Sequence, residues 1–308
     1  AILYTNEVFA LRTAVIGIGS NSLRMLVADI SDGRLNRLRR YREGLRVFAA
    51  LDEHGDIKPE MVRKACESVR SFQSEALLKG AEQVHLFATS AVRDAHNQQD
   101  FARALEASTG MKMEICSGDL EALLSFVGAT SGERTGMIDI GGGSTEIVIG
   151  GGRRIDASVS LQMGAVRLCR MLPISSTEDA WRTVEAAAAV LAPHRAQFLR
   201  QGAESWVGVG GTFTTTAALV QRIPWDQRER IHGFALSKGD VRLAIEHLAP
   251  MPMEKRLSLP YLQPQRADIV VHGIAILLAC MNGLDIAQIT VSEYGNLEGY
   301  LKMKYLNK

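Results

Sequence analysis

Ile16-Gly-Ile-Gly-Ser-Asn-Ser-Leu-Arg-Met-Leu-Val27 lies without a gap on Ile138-Asp-Ile-Gly-Gly-Gly-Ser-Thr-Glu-Ile-Val-Ile149, at an offset of 122 residues. Gly19 falls on Gly141 and Ser22 on Ser144. Each copy is an apolar strand, a turn of small residues and a second apolar strand. The period is too long for a solenoid; a β-turn-β unit repeated at a domain's length implies two related lobes that each present one turn to a shared cleft. The second copy carries three consecutive glycines, which cost backbone entropy on folding and fit a turn whose main chain approaches something closely. Bare amides in such a turn make an anion nest, and the flanking carboxylates Asp139 and Glu146 suit a hard cation such as Mg²⁺. A plain hairpin with a glycine turn is the competing reading.

The rest of the chain supplies the elements two lobes need, and 308 residues are enough for both. In the first, strands are expected at 13–18, 23–30 and 35–41, then a helix at 59–78 opened by Pro59 and carrying apolar residues at helical spacing. A strand at 84–88, a helix at 98–108, a strand at 112–116 and a helix at 119–129 follow. The second lobe holds the glycine motif, a strand at 154–161, a helix at 177–201 interrupted by Pro193, and a strand at 205–209 leading into Gly210-Gly211-Thr212. Helices near 237–248, 265–280 and 295–304 and a strand at 289–291 complete it. The alternation makes the class α/β, with lobes at 1–128 and 129–308 and a C-terminal helix returning to the first.

Formal net charge is +1, so the global basic field expected of a nucleic-acid binder is absent. One local basic cluster, Arg34, Arg37, Arg39, Arg40, Arg42 and Arg46, reads as a strand with a solvated face that could also guide a polyanion. Cys66, Cys116, Cys169 and Cys280 are widely spaced and fit reduced thiols rather than a zinc site or disulfide framework. Residues 1–12 lack the pattern of a signal peptide. The uncharged run 269–284 is too short to span a membrane and reads as a buried helix. The expected setting is cytoplasmic, with neither a nucleic-acid nor a membrane partner.

Several motifs occur in order: Gly19-Ser-Asn-Ser22, Ala88-Thr-Ser-Ala-Val-Arg93 with Asn97, Ser117-Gly-Asp-Leu-Glu-Ala122, Asp139 to Glu146, Met163-Gly-Ala165, Gly208-Val-Gly-Gly-Thr212, His232-Gly233 and Arg266-Ala-Asp268. By this set the chain closely resembles the exopolyphosphatase / guanosine pentaphosphate phosphatase (Ppx/GppA) family, within the actin, sugar-kinase and Hsp70 superfamily, from Ala14 to about Tyr305. The resemblance implies two actin-like (ribonuclease H-like) lobes around a central cleft. It also implies release of terminal phosphate from polyphosphate or guanosine pentaphosphate, with Mg²⁺ or another divalent cation. Glu121 matches the family's catalytic glutamate and is expected to be general base for the attacking water. Asp139 matches the metal-associated aspartate, and Glu146 an acidic position that holds metal or orients the water. Gly141, Gly142 and Gly143, with Ser144 and Thr145, are expected to face the terminal phosphate, as are Gly19, Ser20, Asn21 and Ser22 from the first lobe. Arg93 offers a planar fork to phosphate oxygens; Gly210, Gly211 and Thr212 open a helix whose amides point outward.

The chain departs from the family pattern at three positions. Gly17 stands where an aspartate is usual, Leu120 replaces an acidic residue and Leu297 an arginine. A protein lacking the first aspartate would lean more on Asp139 for metal, and Gly17→Asp is expected to strengthen metal dependence or raise turnover. The family's long helical second half, implicated in chain binding and dimerisation, is absent, which leaves a homodimer open. A phosphoanhydride hydrolase is the reading the residues favour. A polyphosphate or nucleotide sensor with reduced catalysis is the first alternative, and a phosphotransferase the second.

Overall fold

A computed structural model describes residues 10–152 and 154–306, so most of the N-terminal stretch read above as lacking a signal peptide lies outside the described residues. The first half contains β1 (Leu11–Ile18), β2 (Leu23–Ser31), β3 (Arg34–Glu43), α1 (Pro59–Leu78), β4 (Gln83–Ala88), α2 (Ser90–Arg93), α3 (Gln98–Thr109), β5 (Met113–Ile115) and α4 (Gly118–Ala129). The second continues with β6 (Thr135–Ile140), β7 (Thr145–Gly151), β8 (Arg154–Leu161), α5 (Ala165–Met171), α6 (Thr177–Gln201), β9 (Ser205–Val209), α7 (Gly211–Gln221) and α8 (Arg228–Ile231). It ends with β10 (Ala235–Ser237), α9 (Lys238–Leu248), α10 (Met253–Leu257), α11 (Val270–Gly283), β11 (Gln288–Ser292) and α12 (Asn296–Tyr305).

The strands form two sheets, ordered β3-β2-β1-β4-β5 and β10-β11-β9-β6-β7-β8. Reversed, the second repeats the first strand for strand, with β10 added at its edge. The repeat extends to register. Gly17 pairs with Arg24 in the first hairpin, and Asp139 pairs with Glu146 in the second. A β-bulge interrupts β2–β3 between Val27 and Ala28, and another interrupts β7–β8 between Ile149 and Gly150, again 122 residues on. Bulges re-aim the side chains beyond them, so the two hairpins share their bend as well as their turn. The expected class, two α/β lobes with duplicated β-turn-β units around a cleft, is the one observed.

Local signals explain most element boundaries. Pro59 opens α1, which buries Ala65, Val69 and Ala76 against its sheet. Ser176 and Asp179 form a capping box at the start of α6. Pro193 does not interrupt α6, which runs unbroken to Gln201. The proline lies on the exposed side, where water can satisfy the carbonyl it leaves unpaired. The helix expected from 265 starts later, at Val270, because Pro264–Arg266 forms a separate 3-10 turn. The uncharged α11 is almost wholly buried, and among the described residues no helix is long and apolar enough to cross a membrane.

Each sheet has its own core, and α4 and α12 lie between the lobes. Leu124 of α4 shares an apolar cluster with Val15, Leu26 and Phe87 of the first sheet and with Leu297, Tyr300 and Leu301 of α12. Both helices open on matching tetrapeptides that differ at one residue, Gly118-Asp-Leu-Glu121 and Gly295-Asn-Leu-Glu298. They touch backbone to backbone where side chains are missing: a Cβ on Gly128 would lie 1.9 Å from the Gly295 carbonyl oxygen, and one on Gly299 would lie 1.8 Å from that of Leu124. Glu121, near the start of α4, and Glu298, near the start of α12, both line the cleft between the lobes.

Candidate active site

The two turns close with the same hydrogen bond: the Gly19 amide donates to Ser22 O and the Gly141 amide to Ser144 O, each at 3.0 Å. These two amides are spent inside their turns, so Gly19 and Gly141 shape the site without offering N–H groups to a ligand. The turns also lean on one another. A side chain at Gly142 would lie 2.8 Å from Ser20 Cβ, and one at Gly143 would lie 2.8 Å from Ser90 Oγ and 2.9 Å from Ser20 Oγ. That close approach is the physical reason for glycines here.

Between the lobes lies a cleft of about 1170 Å³, counting space open to solvent. It is lined by Ser20, Asn21 and Ser22, by Gly141 and Gly142, and by Gly210 and Gly211 where α7 begins. Glu121 and Asp139 line it as well. Six of the expected contact residues do not. Gly143 is covered by Ser20, Ser90 and Phe48; Ser144 is buried; Thr145 donates to Met163 O at 2.6 Å; Thr212 packs against Gly273; Arg93 and Glu146 sit behind the wall. Thr214, two residues and so about half a helical turn further along α7, faces the cleft instead of Thr212.

Glu121 is 6% exposed. Arg93 Nη1 donates to its Oε2 at 2.9 Å and to Cys116 O at 3.1 Å. Arg93 therefore grips the carboxylate from behind, while its buried Nη2 has no hydrogen-bond partner among the described residues. Burial raises the Glu121 pKa, the Arg93 charge opposes that rise and Asp139 adds to it. Asp139 accepts a 2.6 Å hydrogen bond from Ser125 on Oδ2, and its Oδ1 lies against the main chain at Gly210, where a Cβ would come within 2.8 Å. Burial raises Asp139 too, against Ser125 and Arg24. Glu146, directly across the hairpin, is 1% exposed and receives a 2.8 Å hydrogen bond from Ser160. Burial and the charges of Glu121 and Asp139 push its pKa well up.

Three mutually repelling carboxylates in one buried cluster favour a cation beside them. Mg²⁺ characteristically takes one or two carboxylates and completes its shell with water and phosphate oxygens. Asp139, fixed at Oδ2 and facing the cleft, fits that demand. Among the described residues no group of three or more His, Cys, Asp or Glu is spaced as a complete metal cage. The donor set suits a cation shared with a phosphate substrate, with Glu146 outside the cleft.

At the position equivalent to Asp139, Gly17 faces an apolar plug. A Cβ there would lie 2.9 Å from Phe87 Cζ and 3.0 Å from Leu297 Cδ2. Leu120 packs on the same cluster, so the three departures from the family pattern meet at one place. A carboxylate at this position would have Arg24 directly opposite it. The earlier expectation for Gly17→Asp is therefore reversed. The substitution should displace Phe87 and Leu297, lower stability by about 1–3 kcal/mol and leave Mg²⁺ affinity unimproved. Thermal melting and a Mg²⁺ titration of phosphate release test this; higher apparent Mg²⁺ affinity would contradict it.

Sequence reading did not assign to the site a set of polar residues that line the cleft: Arg24, Arg42, Arg228 and Arg266, with Glu293 and Glu298. Arg24 stands two residues beyond Ser22 and is the cationic counterpart of Glu146 in the repeat. Arg266 opens a motif already singled out; its guanidinium lies against the Gly211 main chain, where a Cβ would come within 1.8 Å of Cζ. Arg40 and Arg42 belong to the basic cluster noted above.

The Ppx/GppA phosphatase family model matches residues 26–308. Exopolyphosphatase 2 of Mycobacterium tuberculosis is 31% identical over 310 aligned residues, covering 94% of this chain and 97% of that protein. Among solved structures, an Aquifex aeolicus PPX-GPPA enzyme superposes with a TM-score of 0.82 at 25% identity, covering 96% of this chain and 100% of its own. An exopolyphosphatase from Cytophaga hutchinsonii gives 0.86 at 25% identity, covering 96% and 98%.

Proposed function

The chain belongs to the Ppx/GppA phosphatase family, and from that premise we propose that it hydrolyses the terminal phosphoanhydride bond of linear polyphosphate, releasing orthophosphate. The observation that carries this reading is the Glu121 carboxylate, gripped from behind by Arg93 at 2.9 Å and facing the same cleft as Asp139 and both turns. A base must be near the water it activates and have a pKa suited to accepting its proton; burial raises that of Glu121 in the required direction. Water attacks the terminal phosphorus, its proton passes to Glu121, and the bond to the bridging oxygen breaks with its electron pair leaving on the shortened chain. Phosphoryl transfer asks for positioning and charge neutralisation more than covalent work from the protein. The turns position the terminal group, and α7 presents its N-terminal end at Gly210 and Gly211. Asp139 would hold Mg²⁺, which supplies Lewis-acid stabilisation of the phosphate charge when bound.

Guanosine pentaphosphate ends in the same phosphoryl group and is the second candidate substrate. The sensor reading draws on Gly17 and its apolar surroundings, which leave Asp139 without a carboxylate at the equivalent position. Phosphate release from polyphosphate and from guanosine pentaphosphate, with Mg²⁺ titrated, separates these readings. The expected result is Mg²⁺-dependent release from polyphosphate. Tight polyphosphate binding with no release at any Mg²⁺ concentration would overturn the hydrolase and favour the sensor.

A further inference from the structure

The wall behind the cleft holds a pair of charges that the hydrolysis proposed above does not use. Arg167 of α5 and Asp94, the residue after α2, come from different lobes and meet there: Arg167 Nη2 donates to Asp94 Oδ2 at 2.6 Å. Neither residue lines the cleft, so neither is placed to touch a substrate in it. The other Asp94 oxygen, Oδ1, lies 3.5 Å from Arg93 Nε. Arg93 in turn donates through Nη1 to Glu121 Oε2 at 2.9 Å. The result is a row of alternating charges, Glu121, Arg93, Asp94 and Arg167, that starts at the proposed base and crosses from the first lobe into the second.

Arg167 also holds the second turn. The three glycine carbonyls of that turn all accept from α5: Gly141 O from the Ala165 amide at 3.0 Å, Gly142 O from the Val166 amide at 2.9 Å and Gly143 O from Arg167 Nε at 2.7 Å. The Arg167 guanidinium lies 4.7 Å from the centre of the Phe48 ring, and the Phe48 amide donates to Ser20 O of the first turn at 3.0 Å. One side chain is thereby tied to the base and to both turns. On the Arg93 side, Asp94 meets the Nε edge, while Nη2 is buried without a partner among the described residues. Asp94 therefore sets how that fork is turned toward Glu121. We propose that Asp94 and Arg167 are positioning residues for the hydrolysis, holding Arg93, and through it the Glu121 carboxylate, in register with the second glycine turn. The inference rests on the hydrolase reading above and adds what aligns its base. Glu121 and the second turn stand on different lobes, so their mutual geometry depends on contacts that cross the boundary. A misplacement of about 1 Å can cost about 10²-fold in rate, and an ion pair between two fixed backbones is rigid on that scale.

Asp94→Asn removes the central charge at nearly constant volume. In otherwise wild-type protein it should lower kcat for polyphosphate about tenfold or more, with KM within about threefold, because the altered side chain lies outside the cleft. In a Glu121→Gln background the same substitution should change the residual turnover by less than about twofold, since a residue that acts through Glu121 then has nothing left to position. Equal losses in the two backgrounds, as a merely structural role would give, overturn the proposal, and so does wild-type kcat in Asp94→Asn. The crystal structure of Asp94→Asn gives a readout free of turnover. Arg93 Nη1 should leave its place 2.9 Å from Glu121 Oε2, and an unmoved Arg93 counts against the proposal whatever the activity. If Asp94→Asn does not fold, Arg167→Gln breaks the same pair from the other lobe and its crystal structure is read in the same way; its KM should rise as well, because Gly143 O loses a donor. A wild type that releases no phosphate overturns the hydrolase reading alone, and a displaced Arg93 in the variant still supports the tie from Asp94 through Arg93 to Glu121.

Discussion

Replacing Glu121 with Gln should lower kcat for polyphosphate by about 10²–10⁴-fold, the range associated with losing a general base, while polyphosphate affinity stays near that of the wild type. The amide keeps the volume of the side chain and an oxygen for Arg93, which donates to Oε2 at 2.9 Å in the wild type. It cannot accept the proton of the attacking water. The pH dependence carries a second signature. A base works only when ionised, so activity is lost as pH falls through the Glu121 pKa. Burial, with Asp139 adding to it, sets that pKa above the ordinary glutamate value of 4.5. The acid limb of kcat/KM should lie correspondingly high in the wild type and disappear from the residual activity of Glu121→Gln. Wild-type turnover in the variant, with the limb unmoved, would remove Glu121 from the mechanism.

Asp139→Asn should lower kcat/KM by about 10²–10³-fold, as expected for loss of a group that stabilises developing charge, and should weaken the apparent affinity for Mg²⁺. Stability should move the other way or stay level. The asparagine can keep the hydrogen bond from Ser125, and one charge leaves a cluster in which burial and mutual repulsion raise Glu121 and Glu146. Activity lost without a fall in melting temperature would separate a functional aspartate from a structural one, a pattern common where active sites hold unfavourable charge. Full activity with unchanged Mg²⁺ dependence would show that Asp139 is a scaffold residue.

Much of this architecture was legible because its signals are local. A glycine turn between two apolar strands and a proline at the first turn of α1 each act within a few residues. The hairpin repeat was visible because both copies have the same length. The second repeat, Gly118-Asp-Leu-Glu121 with Gly295-Asn-Leu-Glu298, has an offset of 177 residues, not 122, and is harder to see. Added elements between β9 and β11, β10 among them, lengthen the second lobe and shift it out of phase. Roles that depend on facing direction were less legible. Thr212 and Thr214 share a helix, yet one packs on Gly273 and the other faces the cleft. Arg93 ends α2, but only packing decides that its fork meets Glu121 at 2.9 Å.

By itself the sequence determined the duplicated lobes, the pair of turns, and the position of an acidic residue near the start of α4 and of another at the end of β6. These follow from strand and helix periodicity and from the few residue types that tight turns accept. Tertiary structure alone decided that Gly17 meets Phe87 and Leu297, that Glu146 is sealed beside Ser160, and that Arg42 reaches Gln263 across 221 residues of chain. The contacts of Gly17 and of Arg42 join segments distant in sequence, and that of Glu146 joins register partners on neighbouring strands β7 and β8. Side-chain charge and burial at such places depend on what the packed neighbour presents, which no local pattern encodes.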